Sequence, residues 1–171
     1  MASGDHIGTV GDRLSPWIQA DNQGRFTLNL VPGRYKIRAK AEPDGYPDPV
    51  FMLNNDPSRE FPEISVMRES IQGLRVVLGR RGAILGGKVI DEESGSPIPH
   101  SKVTIRDALN TNAYVEVFTD IDGNFKFTVP SKPLLISASA VGFKPYNPAE
   151  RNEITIPSGE QRDVVLRLQR Q

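Results

Sequence analysis

The chain repeats itself. Asp21-Asn22-Gln23-Gly24-Arg25-Phe26-Thr27-Leu28 returns 99 positions later as Asp120-Ile121-Asp122-Gly123-Asn124-Phe125-Lys126-Phe127. Val31-Pro32 then returns as Val129-Pro130, Ile37, Ala39 and Ala41 return as Ile136, Ala138 and Ala140, and Gly45-Tyr46 returns as Gly142-Phe143. Near the end of each copy, Leu74-Arg75-Val76-Val77-Leu78 parallels the run closing on Asp163-Val164-Val165-Leu166. Self-similarity at a nearly constant offset, 97 to 99 positions, means that one structural unit is used twice. The 171 residues therefore divide into two domains, 1–80 and 81–171, with the boundary near Gly79 to Gly82.

Within each copy the apolar period is two. Phe26, Leu28 and Leu30, like Phe125, Phe127 and Val129, alternate with polar residues, the signature of a half-buried strand. An acidic residue and a glycine precede each run and supply the left-handed positions of a tight hairpin turn. Further strands are expected at Ile7 to Val10, Tyr35 to Ala41, Ile64 to Met67, Leu74 to Leu78, Ile84 to Ile90, Val103 to Arg106, Tyr114 to Thr119, Leu134 to Ala140, Ile154 to Ile156 and Val164 to Leu168. The 15 glycines and 14 prolines lie between these short runs as turn punctuation. Many short, turn-bounded strands predict an all-β chain of two tandem antiparallel sandwiches. Copy two opens with a strand over Ala83 to Asp91. Copy one has only Met1 to about Asp12 for the same purpose, so its first strand is expected to be missing and one edge open.

Composition closes off several functions. Lys+Arg and Asp+Glu number 21 each, so no net field steers the chain towards nucleic acid. No stretch approaches the roughly 20 apolar residues of a membrane helix, and Met1 to Val10 lacks the apolar core of a signal peptide. There is no cysteine, which removes disulfides, thiolate metal sites and thiol nucleophiles. His6 and His100 are the two histidines, one near the terminus and one after a proline-rich loop, an unsuitable set for catalytic zinc. No cofactor and no catalytic residue is expected.

Gly86-Gly87-Lys88-Val89-Ile90-Asp91, the loop ending Pro97-Ile98-Pro99-His100-Ser101, Val103-Thr104-Ile105, the Asp120 to Phe125 hairpin and Ala140-Val141-Gly142-Phe143 together resemble the carboxypeptidase regulatory-like domain. Copy two matches from about Gly82 to Leu168. Copy one matches from its hairpin onward through Pro32-Gly33-Arg34-Tyr35 and Gly45-Tyr46. The resemblance implies a transthyretin-like, seven-stranded sandwich of the carbohydrate-binding-like group, carried in tandem by secreted or surface bacterial proteins, hence extracellular, periplasmic or at the cell surface. It specifies a fold and not an activity. Zinc carboxypeptidases keep their ligands in another domain, and the histidines of the hydroxyisourate hydrolases are lacking. The isopeptide bond of Gram-positive adhesin domains would draw on Lys88, Glu116 and Asp163, but Lys88 alternates with Val89 and is expected to face solvent.

Other motifs yield to structural readings. Gly82 to Lys88 imitates a phosphate loop but is followed by Val89 and a strand. Asp120, Asp122 and Asn124 have calcium-loop spacing, yet Phe125 and Ser131 stand where glycine and a bidentate glutamate belong. The sharpest surface feature is Arg34, Lys36, Arg38 and Lys40, four cations on one face of one strand. They suit an anionic polysaccharide, a protein partner or the chain's own carboxylates. Sugar stacking needs an exposed aromatic face, for which Trp17, the single tryptophan, is the first candidate, either core or surface, and Tyr46, Tyr114 and Tyr146 are the others. The expectation is a non-catalytic spacer or protein-interaction module, with carbohydrate binding as the alternative. A strand missing from copy one also favours an edge-paired homodimer.

Overall fold

The computed structural model describes residues 6–10, 17–52, 59–147 and 153–171. Over these the chain is strand, turn and two 3₁₀ turns, Glu42–Asp44 and Pro49–Met52, with no α-helix among the described residues. No helix there is long and apolar enough to cross a membrane. The chain divides into two compact units, Met1–Arg80 and Arg81–Gln171.

The first unit contains β1 (His6–Val10), β2 (Ile18–Gln19), β3 (Gly33–Lys40), β4 (Arg59–Glu60), β5 (Glu63–Val66) and β6 (Val77–Leu78). They form a sheet in the order β2-β1-β3-β5 and a separate pair, β4-β6. Ile37 and Ala39 of β3 are buried at its centre, and half-buried apolar residues including Ile18, Phe26, Leu28, Ile64 and Val76 pack on them.

The second unit contains β7 (Ala83–Asp91), β8 (Lys102–Asp107), β9 (Tyr114–Phe118), β10 (Asn124–Val129), β11 (Leu134–Ser139) and β12 (Gln161–Leu168). Two three-stranded sheets result, β10-β7-β12 and β11-β8-β9. Leu85, Val89, Phe127, Val129, Leu166 and Leu168 of the first sheet are buried, as are Val103, Ile105, Leu134, Ile136 and Ala138 of the second. Alternate residues of each strand thus face inward, giving the β-sandwich core that a period of two requires. Each fully buried Leu or Ile contributes about 1.5–3 kcal/mol of transfer free energy.

The repeat has a three-dimensional counterpart. In the first unit Ile7 lies opposite Ala39 and Thr9 opposite Ile37. In the second Val103 lies opposite Ala138 and Ile105 opposite Ile136. The two hairpin turns match bond for bond. Asp21 accepts N–H bonds from Gln23 and Arg25 on Oδ1, both at 2.9 Å, and Asp120 accepts them from Asp122 and Asn124 at 3.0 and 2.8 Å. Gly24 and Gly123 share a φ of +74°, a left-handed conformation that a side chain would strain.

Four expectations need correction. Phe26 to Leu30 is not a strand: its residues alternate between half-buried and exposed but join no ladder with any described strand. The equivalent β10 pairs with β7, Phe125 opposite Gly87 and Phe127 opposite Leu85, and no described strand stands where β7 would be in the first unit. Leu74 to Leu78 is strand only over its last two residues, for the same lack of a neighbour. Ile154 to Ile156 makes a single bridge to Leu134. Finally, the sheets are not wholly antiparallel, because β12 runs parallel to β7 from Gln161 opposite Ile84 to Leu168 opposite Asp91.

Candidate functional site

In the first unit, β3 separates its two faces by chemistry. Ile37 and Ala39 point to the core, so the alternate positions Arg34, Lys36, Arg38 and Lys40 share the opposite face. The stripe is partly neutralised by its own unit. Pairing of β3 with β5 puts Lys36 opposite Glu63, and Lys36 Nζ lies 3.0 Å from Glu63 Oε1. Lys40 forms an ion pair with the carboxylate of Asp48, a buried residue whose Oδ1 also accepts the Val50 N–H at 2.8 Å. Arg38 keeps a buried Nε with no hydrogen-bond partner among the described residues. An orphaned guanidinium N–H favours an anionic acceptor, since its desolvation is otherwise uncompensated.

Trp17 lies at the surface, 46% exposed, beside this stripe. Lys40 Nζ sits 5.5 Å from the centre of its ring, within cation–π range. The structure therefore brings Trp17 together with Lys40 and, through Lys40, with Asp48. Tyr46 stays apart in role: it is half-buried after the Glu42–Asp44 turn, and its N–H donates to the Ala41 carbonyl at 3.1 Å. Phe143 does the same with Ala140 at 3.2 Å, so this aromatic position closes a turn in both copies.

In the second unit the outer face of β10-β7-β12 is a shallow groove of about 670 Å³. Gly86 forms its floor, and Asp163 Oδ1 occupies the space that a Cβ on Gly86 would need. Lys88, Lys126, Asp163 and Phe118 line it, with the Gln161 side-chain amide 3.3 Å from Asp163 Oδ2. Phe118 is 66% exposed. Residue typing alone passed over this groove, although a glycine pair inside a strand marks close approach of neighbouring groups.

The carboxylates with shifted acidity serve the fold. Hydrogen bonding from the Arg25 backbone and side chain holds Asp21 below the usual carboxylate range, and the Asn124 backbone does the same for Asp120. The Arg170 guanidinium lowers Asp91. Burial would raise Asp107, but Lys132 and the Leu109 and Asn110 N–H groups outweigh it. Glu116 bonds Thr104 at 3.2 Å and Lys102 at 3.2 Å. Each acid is held by its own turn or neighbouring strand.

No curated protein matches the chain. Among solved structures, the Bacillus anthracis TIE protein is 17% identical, covering 98% of this chain and 31% of its own, with a TM-score of 0.47. The 3-chlorocatechol 1,2-dioxygenase of Rhodococcus opacus is 14% identical, covering 52% of this chain and 60% of its own, TM-score 0.39. A candidate carbohydrate-binding protein of Pseudomonas aeruginosa is 14% identical, covering 50% and 88%, TM-score 0.38. The chain thus spans 31% of the length of the first of these. At such values none bears on function. The family does: residues 84–169 match the carboxypeptidase regulatory-like domain. That match takes in all but the first residue of β7 and every later strand, and through it the chain belongs to the carboxypeptidase regulatory-like domain family.

Proposed function

We propose that the chain is a non-catalytic interaction module of a larger bacterial protein, placed in the periplasm, at the cell surface or outside the cell. In this reading residues 1–80 are a second domain of the same kind, and the module meets an anionic partner through β3 of that domain. The observation that carries it is the basic face of β3, where Arg38 Nε has no hydrogen-bond partner among the described residues, beside ion-paired Lys36 and Lys40. An acidic protein surface or a polyanionic polysaccharide supplies further acceptors to this face. Arg34, Lys36, Arg38 and Lys40 are then the binding residues.

Carbohydrate binding is the second reading. Half-exposed Trp17 favours it, because one ring face beside Lys40 offers a stacking surface with a hydrogen-bond donor at its edge. Tyr46, half-buried in its turn, is the weaker contributor.

One experiment separates the two: binding to a glycan array, to insoluble polysaccharides and to acidic polypeptides at low and high salt. Wild type is compared with Trp17→Ala and with a variant carrying Arg34, Lys36, Arg38 and Lys40 all changed to Glu. Salt-sensitive binding lost in the charge variant supports the anionic-partner reading. Salt-insensitive binding lost in Trp17→Ala supports sugar stacking instead, and binding unaffected by either variant overturns both site assignments.

A further inference from the structure

We infer that the outer face of the β11-β8-β9 sheet in the second unit binds an uncharged polysaccharide chain laid along β9, with Tyr114 and Phe118 as its stacking surfaces. This site goes beyond the carbohydrate reading of Trp17, and either can hold without the other.

The alternation of β9 defines the face. Val115 and Val117 are half-buried while Tyr114, Glu116 and Phe118 are exposed, so these three share the solvent side of the strand. Their neighbours follow from the register: Tyr114 lies opposite Arg106, Glu116 opposite Thr104 and Phe118 opposite Lys102. Two contacts fix the side chains over this face. Glu116 Oε1 accepts from Thr104 Oγ1 and pairs with Lys102 Nζ, each at 3.2 Å. The Arg106 guanidinium lies 5.0 Å from the Tyr114 ring centre, and its Nη1 donates to the Thr111 carbonyl at 2.6 Å.

The two rings remain open. Phe118 is 66% and Tyr114 45% exposed, and an aromatic face left in water is what the C–H face of a pyranose covers. Four residues separate them, roughly 14 Å along the strand at about 3.4 Å per residue. Between them the face is polar, with the Glu116 carboxylate and the Thr104 hydroxyl, and an oligosaccharide needs such groups between stacking rings for its own hydroxyls. Phe118, on the edge strand, also borders the groove of the other sheet.

Charge selects among ligands. Ile37 and Ala39 correspond to Ile136 and Ala138, so the cations Lys36, Arg38 and Lys40 of the first unit are replaced here by Leu135, Ser137 and Ser139, which lie opposite Arg106, Thr104 and Lys102. Lys102 and Glu116 neutralise one another, and Arg106 is engaged by Thr111 and Tyr114. A face of hydroxyls and one closed ion pair offers an anion little and a neutral glycan many hydrogen bonds. A protein partner fits less well, because the centre of such an interface is depleted in charge and the centre of this face is the Glu116–Lys102 pair. The first unit presents an aromatic at the corresponding edge: β2 pairs with β1 as β9 does with β8, Gln19 opposite His6 and Phe118 opposite Lys102, and Trp17 stands exposed just before β2.

The test titrates the full chain with cellohexaose, xylohexaose, mannohexaose and N-acetylchitohexaose, all uncharged and linear, by calorimetry at low and high salt, and maps the contact from amide chemical shifts. The expected result is salt-insensitive binding of at least one of them, with shifts confined to residues 102–106, 114–118 and 135–139. Phe118→Ala should weaken that binding about tenfold, Phe118→Trp should retain it, and Trp17→Ala should leave the shifts on these strands unchanged. Phe118 is exposed, so both of its variants should keep the wild-type thermal midpoint. The inference is overturned by binding to none of the four, by shifts elsewhere, the β10-β7-β12 groove included, by equal affinity of Phe118→Ala and wild type, or by loss of binding at high salt. It is also overturned if sedimentation shows a dimer that Phe118→Ala dissociates, since a second copy of the chain then covers the face. Binding lost in Trp17→Ala but not in Phe118→Ala keeps the first-unit carbohydrate reading and removes this site, and the reverse pattern keeps this site and removes that reading.

Discussion

Arg170 holds Asp91 from the far end of the second unit. Its Nε and Nη2 each lie 2.8 Å from Asp91 Oδ2, while Oδ1 accepts the Glu93 N–H at 3.0 Å. The guanidinium also lies 5.8 Å from the Phe143 ring centre. One side chain near the C-terminus therefore ties the last residue of β7 to the turn after β11.

That contact sets a direction for acid stability. The Arg170 hydrogen bonds lower the folded-state pKa of Asp91 below its ordinary value of 3.8, so the stabilisation is present above that value and lost as pH falls through the lower, folded one. Asp21, Asp107 and Asp120 shift the same way. Stability should be flat from about pH 7 to about pH 5 and decline below about pH 4. Arg170→Ala should lower the thermal midpoint at neutral pH and shrink the acid-dependent part of the decline, read by circular dichroism melts across pH. An unchanged acid profile in that variant would remove Arg170 as the cause.

Lys132 faces a buried partner. It pairs with Asp107, whose Oδ1 is already committed to the Leu109 N–H at 2.9 Å. Lys132→Met leaves a desolvated carboxylate with less compensation, and the chain should lose about 1–2 kcal/mol in urea unfolding, below the figure for a fully buried pair because Lys132 retains some solvent contact. Asp107→Asn combined with Lys132→Met should recover part of that loss.

The twin turns separate strain from crowding. Gly24→Ala should cost about 1–2 kcal/mol, the left-handed penalty alone. Gly123→Ala adds a collision with Val89 O and Pro97 and should cost at least about 3 kcal/mol. Equal costs by chemical denaturation would mean that the two turns have the same surroundings.

Trp17 reports on its own contact, since it is the only tryptophan. Lys40→Met should remove the ammonium from the ring and raise acrylamide quenching of Trp17 emission, with Lys36→Met as an unaffected control. No change in Lys40→Met would dissociate Trp17 from the basic stripe.

Much of the fold was legible from two residue types. Aspartate and glycine at Asp21, Gly24, Asp120 and Gly123 specify turns through local hydrogen bonds and backbone freedom, which depend on nothing distant. The alternation in Gly33–Lys40 announced both the core residues and the basic face. What was hidden depends on neighbours. Phe26 to Leu30 alternates as a strand should, yet strand pairing is a property of two segments and its partner is not in the pattern. β2 and β4, two residues each, are too short to show a period. The parallel return of β12 beside β7 is set by the path of the chain, which alternation does not encode. Trp17 was unreadable as core or surface because a residue flanking a two-residue strand has no established face.

The parallel alignment of β12 with β7 has a mechanical side. Ala83 opens β7 near the start of the second unit and Leu168 lies near its close, and their strands run in the same direction through eight consecutive register positions, Gln161 to Leu168. Tension applied to the two ends of this unit slides β7 and β12 past one another along their length, so the bonds between them bear load together instead of opening singly. Single-molecule pulling through residues 81 and 171 should meet a higher rupture force than pulling through 124 and 139, where β10 can peel from the sheet edge. That geometry makes the second unit a link that carries load in shear.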